Sequence, residues 1–346
     1  MKLSISIGSP GRGAGNIADD VRYVQAAESM GIDYAWSAEA WGRDGVTPLA
    51  YLAALTHRIT LGTGILQVPA RTPALTAMTA LTLAELTGNR FVLGLGVSGP
   101  QVVEGLHGVR FQPALTRLKE TVAIVRQAFR GEKLRHKGKV YELPRAGGEG
   151  KALRIDHEPN PHIPIFLATL APNSLHFTGA EADGWLGTSF SPDYPGAHFE
   201  HLRAGAALTG RSMSTLTTQA AATVAIGDDV DALLTALKPA VAFQLGAMGS
   251  RRTNFYNAAF RRAGFEDDAR AVQDLWMAGE RDAAAERVPD ELVLKYGLIG
   301  TQSMVRERVV AYRDAGITCL NLRLPGSGDV DERIGRLERA VEAVRG

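Results

Sequence analysis

Residues 91–100 read FVLGLGVSGP, and inside them stands Gly94-x-Gly96-x-x-Gly99. In a dinucleotide-binding fold such glycines join a strand to a long helix, and a second strand follows within about 30 residues. Here Gly99 is followed by Pro100 and the short segment QVVEGLHG, so no helix is expected to begin on it. The next long element is an amphipathic helix over 115–130, with Leu115, Leu118, Val122, Val125 and Phe129 on one stripe. It leads to a hairpin around KGKVYELP, and no acidic residue marks the end of a second strand. The stretch therefore reads as a buried strand whose terminal glycines let a flat ligand approach the backbone closely.

Outward from this strand, the chain repeats one unit. KLSISI (2–7), YAWSA (34–38) and RITLGTGIL (58–66) are strands that precede it; HIPIFLATL (162–170), GWLGT (184–188), TQAAATVAI (218–226) and ITCLNLRL (317–324) follow it. Helices alternate with them. One runs from Asn16 to Met30, and another over 47–56 has Thr47 as cap and Pro48 in its first turn. A third opens at Thr72-Pro73 and reaches Leu86. Later ones start at Pro172, span 195–208, start at Asp228-Asp229 and span 330–345. Several strands are apolar on both faces, as a buried parallel sheet requires. Eight such units predict an α/β fold, a (β/α)8 TIM barrel, with an open doubly wound sheet as the alternative. The regular alternation predicts one domain over 1–346. Insertions are expected after strand four (99–114), before strand five (131–161) and after strand seven (240–300). Function in such barrels concentrates in the loops at the carboxyl ends of the strands.

Composition narrows the class. A net charge of +1 gives no general attraction to nucleic acid or anionic membrane. Basic pairs such as Arg261-Arg262 read as solvated faces. Cys319 is the single cysteine, in an apolar run, and reads as a small buried hydrophobe. The eight histidines show no HxH or HExxH spacing, so no metal site is expected. The N-terminus goes straight into a strand, and no apolar run reaches the ~18 residues of a membrane span, so a cytoplasmic enzyme acting on a small-molecule substrate is expected. The loop ATLAPNS (168–174), with small residues before a helix start, can hold an anion on first-turn amides; an ordinary short connection is the alternative.

Taken in order, HRITLGTGILQVPARTPA, GNRFVLGLGVSGP, IPIFLATLAPNSL and EADGWLGTSFSP resemble the luciferase-like monooxygenase superfamily, in its branch of coenzyme F420-dependent oxidoreductases. The resemblance covers essentially the whole chain. It implies a barrel with a deazaflavin at the mouth, hydride transfer to or from a small organic substrate, and a homodimer. It also implies a non-prolyl cis peptide at Gly64–Ile65 that backs the central ring. Val97, Ser98 and Gly99 would line the ring and tail, Ala168, Thr169, Leu170, Ala171 and Asn173 would hold the phosphodiester, and Ser189 and Phe190 would border the mouth. The same barrel also serves FMN-dependent monooxygenases and could serve a non-catalytic F420- or flavin-binding protein.

Two positions depart from the branch. Many relatives carry an acidic residue followed by histidine after strand two, whereas this chain has Glu39 and then Ala40. The branch's sugar-phosphate dehydrogenases carry a glutamate just after the strand-four glycines, where Pro100 stands here. Glu39 is thus the candidate catalytic residue, for a proton or for the cofactor's polar edge; a salt bridge to Arg43 or another arginine is the alternative. Trp41, Phe190 and Tyr256 are candidate substrate-binding residues, Tyr256 within GSRRTNFYN, where Arg251 or Arg252 would face anionic groups. Arg71 is a candidate partner for the cofactor's acidic tail, Glu104 for a helix cap, and His107 for a surface histidine or a stand-in for the missing one.

Overall fold

The computed structural model describes residues 1–8, 16–250, 253–326 and 328–346. Its strands are β1 (Lys2–Ile7), β2 (Tyr34–Ser37), β3 (Thr60–Thr63), β4 (Leu66–Gln67), β5 (Phe91–Gly96), β6 (His136–Lys137), β7 (Glu142–Leu143), β8 (Ile165–Ala168), β9 (Gly184–Gly187), β10 (Thr217–Ile226), β11 (Gly297–Gly300) and β12 (Cys319–Arg323). Its helices are α1 (Ile17–Ser29), α2 (Thr47–Ala53), α3 (Pro73–Leu86), α4 (Pro100–Gly105), α5 (Ala114–Phe129), α6 (Pro172–Glu181), α7 (Gly196–Leu208), α8 (Val230–Gly246), α9 (Phe255–Arg262), α10 (Glu266–Met277), α11 (Arg281–Glu286), α12 (Asp290–Lys295), α13 (Gln302–Asp314) and α14 (Val330–Arg345). The strands run β11-β10-β12-β1-β2-β3-β5-β8-β9, and β9 pairs back onto β10. This closes the eight-stranded parallel barrel that the alternation predicts. Strands β2, β5, β9 and β11 are buried at every position, which explains why they lack polar alternation apart from Ser37 at the end of β2.

The chain forms two compact units, one of Ser6–Ile17 and Asp33–Ala168, the other of Met1–Ile5, Ala18–Ile32 and Thr169–Gly346. In the first, the Trp36 ring stacks on Tyr34 with centroids 5.4 Å apart. A Cβ at Gly62 would fall 2.3 Å from that ring, and one at Gly64 2.8 Å from the Trp36 Cβ, so both glycines make room for one tryptophan. In the second, Leu234, Leu245, Phe260, Phe265 and Val272 belong to an apolar cluster that buries the faces of the helices after β10.

Four local readings are corrected. The third strand breaks at Gly64–Ile65, a cis peptide, and resumes as β4. Thr47 does not cap α2: the Asp44 carboxylate accepts from the amides of Val46 and Thr47 at 2.9 and 2.8 Å. Burial disfavours its charge, yet those two bonds hold its pKa below the ordinary value. A helix does begin after Gly99, but α4 lasts six residues, far short of what a dinucleotide fingerprint needs. Finally, β11 lies inside the insertion expected over 240–300, where no strand is predicted, and pairs with residues 223–226 of β10. Two apolar residues between glycines carry no periodicity from which to read a strand.

The hairpin after α5 forms as β6 and β7. Glu120 of α5 clasps it, accepting from the amides of Lys139, Val140 and Tyr141. Burial opposes that charge, and the three amides together with His136 outweigh it, holding the carboxyl below its usual range.

Candidate functional site

The strand ends of the first unit carry an unusual electrostatic arrangement. Glu39 follows β2 and Arg71 follows the turn after β4; their side chains are 11% and 19% exposed. Glu39 Oε2 accepts from Arg71 Nη2 at 2.8 Å and from the Gly45 amide at 3.1 Å. Glu39 Oε1 is buried and accepts nothing, and Arg71 Nε is buried and donates to nothing. Gln67, at the end of β4, is 1% exposed. It donates through Nε2 to the carbonyls of Glu39 and Ala40, at 3.1 and 2.9 Å, while its Oε1 also stays without a donor. The Ser37 hydroxyl, buried at the end of β2, has no partner either. A buried polar atom without a partner costs about 1–3 kcal/mol, so these strand ends suit a ligand that completes them.

Apolar groups flank that cluster. Thr63 ties β3 to β5, accepting from the Gly94 amide and donating to its carbonyl, both at 2.8 Å. A Cβ on Gly96 would lie 3.1 Å from the Ile65 side chain, so the isoleucine after the cis bond lies against the glycine strand. Val97, Ser98 and Gly99 are half-buried, and a Cβ on Gly99 would meet nothing within 4 Å. Ser98 sits at φ 60°, a left-handed conformation rare outside glycine and frequent where function strains a backbone. Trp41 is 54% exposed and so belongs to the surface. Glu104 caps no helix; it accepts from the Phe111 amide at 3.0 Å and pins the returning loop. His107 is half-buried, its Nε2 buried without a partner.

At the strand ends of the second unit, polar groups are met by neighbours. Thr169 shares a 2.7 Å hydrogen bond with Thr178, and its carbonyl accepts from Trp185 Nε1 at 2.9 Å. The Leu170 carbonyl accepts from Arg262 Nη2 at 2.6 Å. Ala171 stands at the start of α6, Pro172 fills the first turn without a wasted N–H, and Asn173 is exposed there. Ser189 sits at φ 53° and accepts from Gln244 Nε2 at 2.8 Å. Phe190 is fully buried and packs edge-on against Trp185 and Phe199, so its side chain serves the core. His198 packs against Phe190 and Trp185 with neither ring nitrogen hydrogen-bonded; burial, with the charges of Arg262 and His201, pushes its pKa down to about 3. Tyr256 is half-buried on α9. Arg251 and Arg252 lie outside the described residues. Among the described residues no cluster of His, Cys, Asp and Glu could hold a metal, and no helix is long and apolar enough to cross a membrane.

Sequence reasoning did not single out Ser37, Gln67 or Gln244, and it read Arg262, which holds the Leu170 carbonyl, only as part of a solvated basic pair. Gln67 offered one signal, a lone amide directly after the strand-three block.

A closed parallel barrel with its unusual backbone at the carboxyl ends of the strands is the frame of an enzyme. The profile of the luciferase-like monooxygenases matches residues 1–319, and the chain belongs to that family. It is 40% identical over 328 residues to a Mycobacterium tuberculosis protein provisionally named a coenzyme F420-dependent oxidoreductase, covering 92% of this chain and 94% of that one. It is 30% identical over 302 residues to 5,10-methylenetetrahydromethanopterin reductase of Archaeoglobus fulgidus, covering 86% of each. Among solved structures, the F420-dependent tetrahydromethanopterin reductase of Methanopyrus kandleri superposes with a TM-score of 0.78 at 21% identity, over 99% of this chain and 98% of that one.

Proposed function

We propose that this protein is an F420-dependent oxidoreductase that moves a hydride between coenzyme F420 and a small organic substrate. The observation that carries the reading is the set of strand ends in the first unit. There Ile65 lies against Gly96, open space stands at Gly99, and unpartnered acceptors wait on Glu39, Gln67 and Ser37. A flat heteroaromatic with apolar faces and a polar edge fits such a set. Coenzyme F420, when bound, supplies the two-electron hydride chemistry.

The chain's own residues bind, orient and handle protons. Ile65 supports one face of the ring, with Gly64, Val97, Ser98 and Gly99 beside it. Residues 168–171 and Asn173 hold the phosphodiester through the start of α6. Glu39, fixed through Oε2, keeps Oε1 for a proton or a polar edge. Trp41, Phe190 and Tyr256 complete the substrate's surroundings, Phe190 through packing. The barrel works as one domain. The chain forms a homodimer through α3, which carries one charged residue and exposes Leu75, Met78 and Leu86.

Titration of the purified protein with F420, followed by cofactor fluorescence, tests the reading. Saturable binding together with turnover of reduced F420 supports it. Tight FMN binding with no affinity for F420 overturns it. Light scattering checks the dimer.

A further inference from the structure

The loop between β8 and α6 has its carbonyls tied down and its amides free. Thr169 and Leu170 follow β8, Ala171 precedes α6, and Pro172 opens the helix. The Thr169 carbonyl accepts from Trp185 Nε1 at 2.9 Å, and the Leu170 carbonyl accepts from Arg262 Nη2 at 2.6 Å. The Ala171 carbonyl closes the turn, accepting from the amides of Ser174 and Leu175 at 3.0 and 2.9 Å. Across a trans peptide, the next residue's N–H points opposite to the carbonyl. Fixing the carbonyls of Thr169 and Leu170 therefore fixes the direction of the Leu170 and Ala171 amides. Among the described residues neither amide donates to anything, nor does that of Asn173 in the first turn of α6.

The two holders come from distant elements and differ in kind. Trp185, on β9, is fully buried. Its ring lies 5.2 Å from that of His198 and 6.1 Å from that of Phe199, and a Cβ on Gly187 would fall 2.4 Å from it. A ring so confined keeps its N–H on one carbonyl. Arg262 ends α9, 92 residues along the chain from Leu170, and is exposed, so the core does not depend on it. No carboxylate among the described residues pairs with it. Its charge reaches His198, where it adds to burial in pushing the ring's pKa down to about 3. An unbalanced cation close to free amides favours an anion at those amides.

We infer that Arg262 and Trp185 are positioning residues: by holding two successive carbonyls, they aim the amides of Leu170 and Ala171 at an oxygen of the cofactor's phosphodiester. The inference rests on the F420 reading of this loop. It assigns part of the affinity for the cofactor's tail to two side chains that act through the backbone.

Titration of the full-length protein with two ligands, followed by cofactor fluorescence, tests it. One ligand is F420; the other is a deazaflavin whose side chain lacks the phosphodiester and glutamates. Arg262→Met is expected to weaken F420 binding about fivefold, the worth of one hydrogen bond, and to leave the affinity for the shortened deazaflavin unchanged. Arg262→Lys keeps a donor and the charge, and is expected to bring F420 binding back to within about twofold of the wild type. Trp185→Phe, which keeps a ring and removes the donor, should act on F420 in the same direction as Arg262→Met. A variant that binds the shortened ligand normally is folded, so that ligand is also the control. Equal weakening of both ligands means a general loss of structure and overturns the positioning role, as does full F420 affinity in Arg262→Met. Wild-type protein that binds F420 no more tightly than the shortened ligand overturns the phosphodiester seat. Wild-type protein that binds neither removes the F420 reading and the inference with it, so the two failures are told apart.

Discussion

The strand ends of the two units differ in how they treat polar atoms. In the first unit, Glu39 Oε1, Gln67 Oε1, Arg71 Nε and the Ser37 hydroxyl are buried without partners. In the second, Thr169, the Leu170 carbonyl and Ser189 are each held by a neighbour, through Thr178, Arg262 and Gln244. A folded protein seldom leaves buried polar atoms unmet unless a ligand or ordered water completes them. The contrast separates residues that the protein scaffold itself satisfies from residues that it leaves unmet. It also ranks the candidates for test: the unmet polar atoms around Glu39 and Gln67 come before the loop at 168–173, whose hydroxyl and carbonyl groups the protein itself meets.

Breaking the Glu39–Arg71 pair tests this most severely. Glu39→Leu leaves a mostly buried guanidinium unpaired and is expected to cost about 3 kcal/mol of stability, together with loss of turnover. Denaturant unfolding and assay with reduced F420 check both; unchanged stability means that the pair is not structural. Gln67→Leu removes the donor from two carbonyls and one orphaned acceptor. It should cost about 2 kcal/mol and weaken F420 binding about tenfold, read by fluorescence titration. Full affinity in this variant makes the orphaned acceptors water sites and erases the contrast.

Away from its strand ends the second unit also buries unpartnered nitrogens, among them both ring nitrogens of His198. Its folded pKa lies near 3 against an ordinary 6.5. The unfolded chain therefore takes a proton that the fold refuses. Stability is whole above pH 6.5 and falls as the pH drops from 6.5 toward 3, by about 1.4 kcal/mol per unit, hence about 2 kcal/mol at pH 5. His198→Leu should flatten that slope; an unchanged slope means that His198 accepts its proton in the fold. The smallest effect is expected at a satisfied group. Thr169→Val loses one hydrogen bond and should lower stability by about 1 kcal/mol. A larger fall in F420 affinity than Gln67→Leu produces would reverse the ranking of the two regions.

Much of this architecture was legible in residue order. The stripe over 115–130 and the span 330–345 match α5 and α14 to within a residue, because a periodic apolar face identifies a helix before packing does. Thr72-Pro73 opens α3 as its capping chemistry requires, with Thr72 accepting from the Leu75 amide. The glycines of residues 91–100 mark the end of a barrel strand, and the context that excludes a pyrophosphate turn holds even though α4 begins there.

Less of the site was legible. That Glu39 stands where the branch has its acidic residue was visible, but not that Arg71 and Gly45 would claim only one of its oxygens. Gln67 looked like any amide, and Arg262 like half of a solvated basic pair. Local periodicity, capping and turn chemistry depend on neighbours a few residues apart, so sequence alone determined the barrel and the order of its elements. Which buried atoms lack partners, and which side chain holds a loop carbonyl, depend on residues far apart in the chain being brought together. Glu39 with Arg71 and Leu170 with Arg262 are such pairs, and only the tertiary structure decided them.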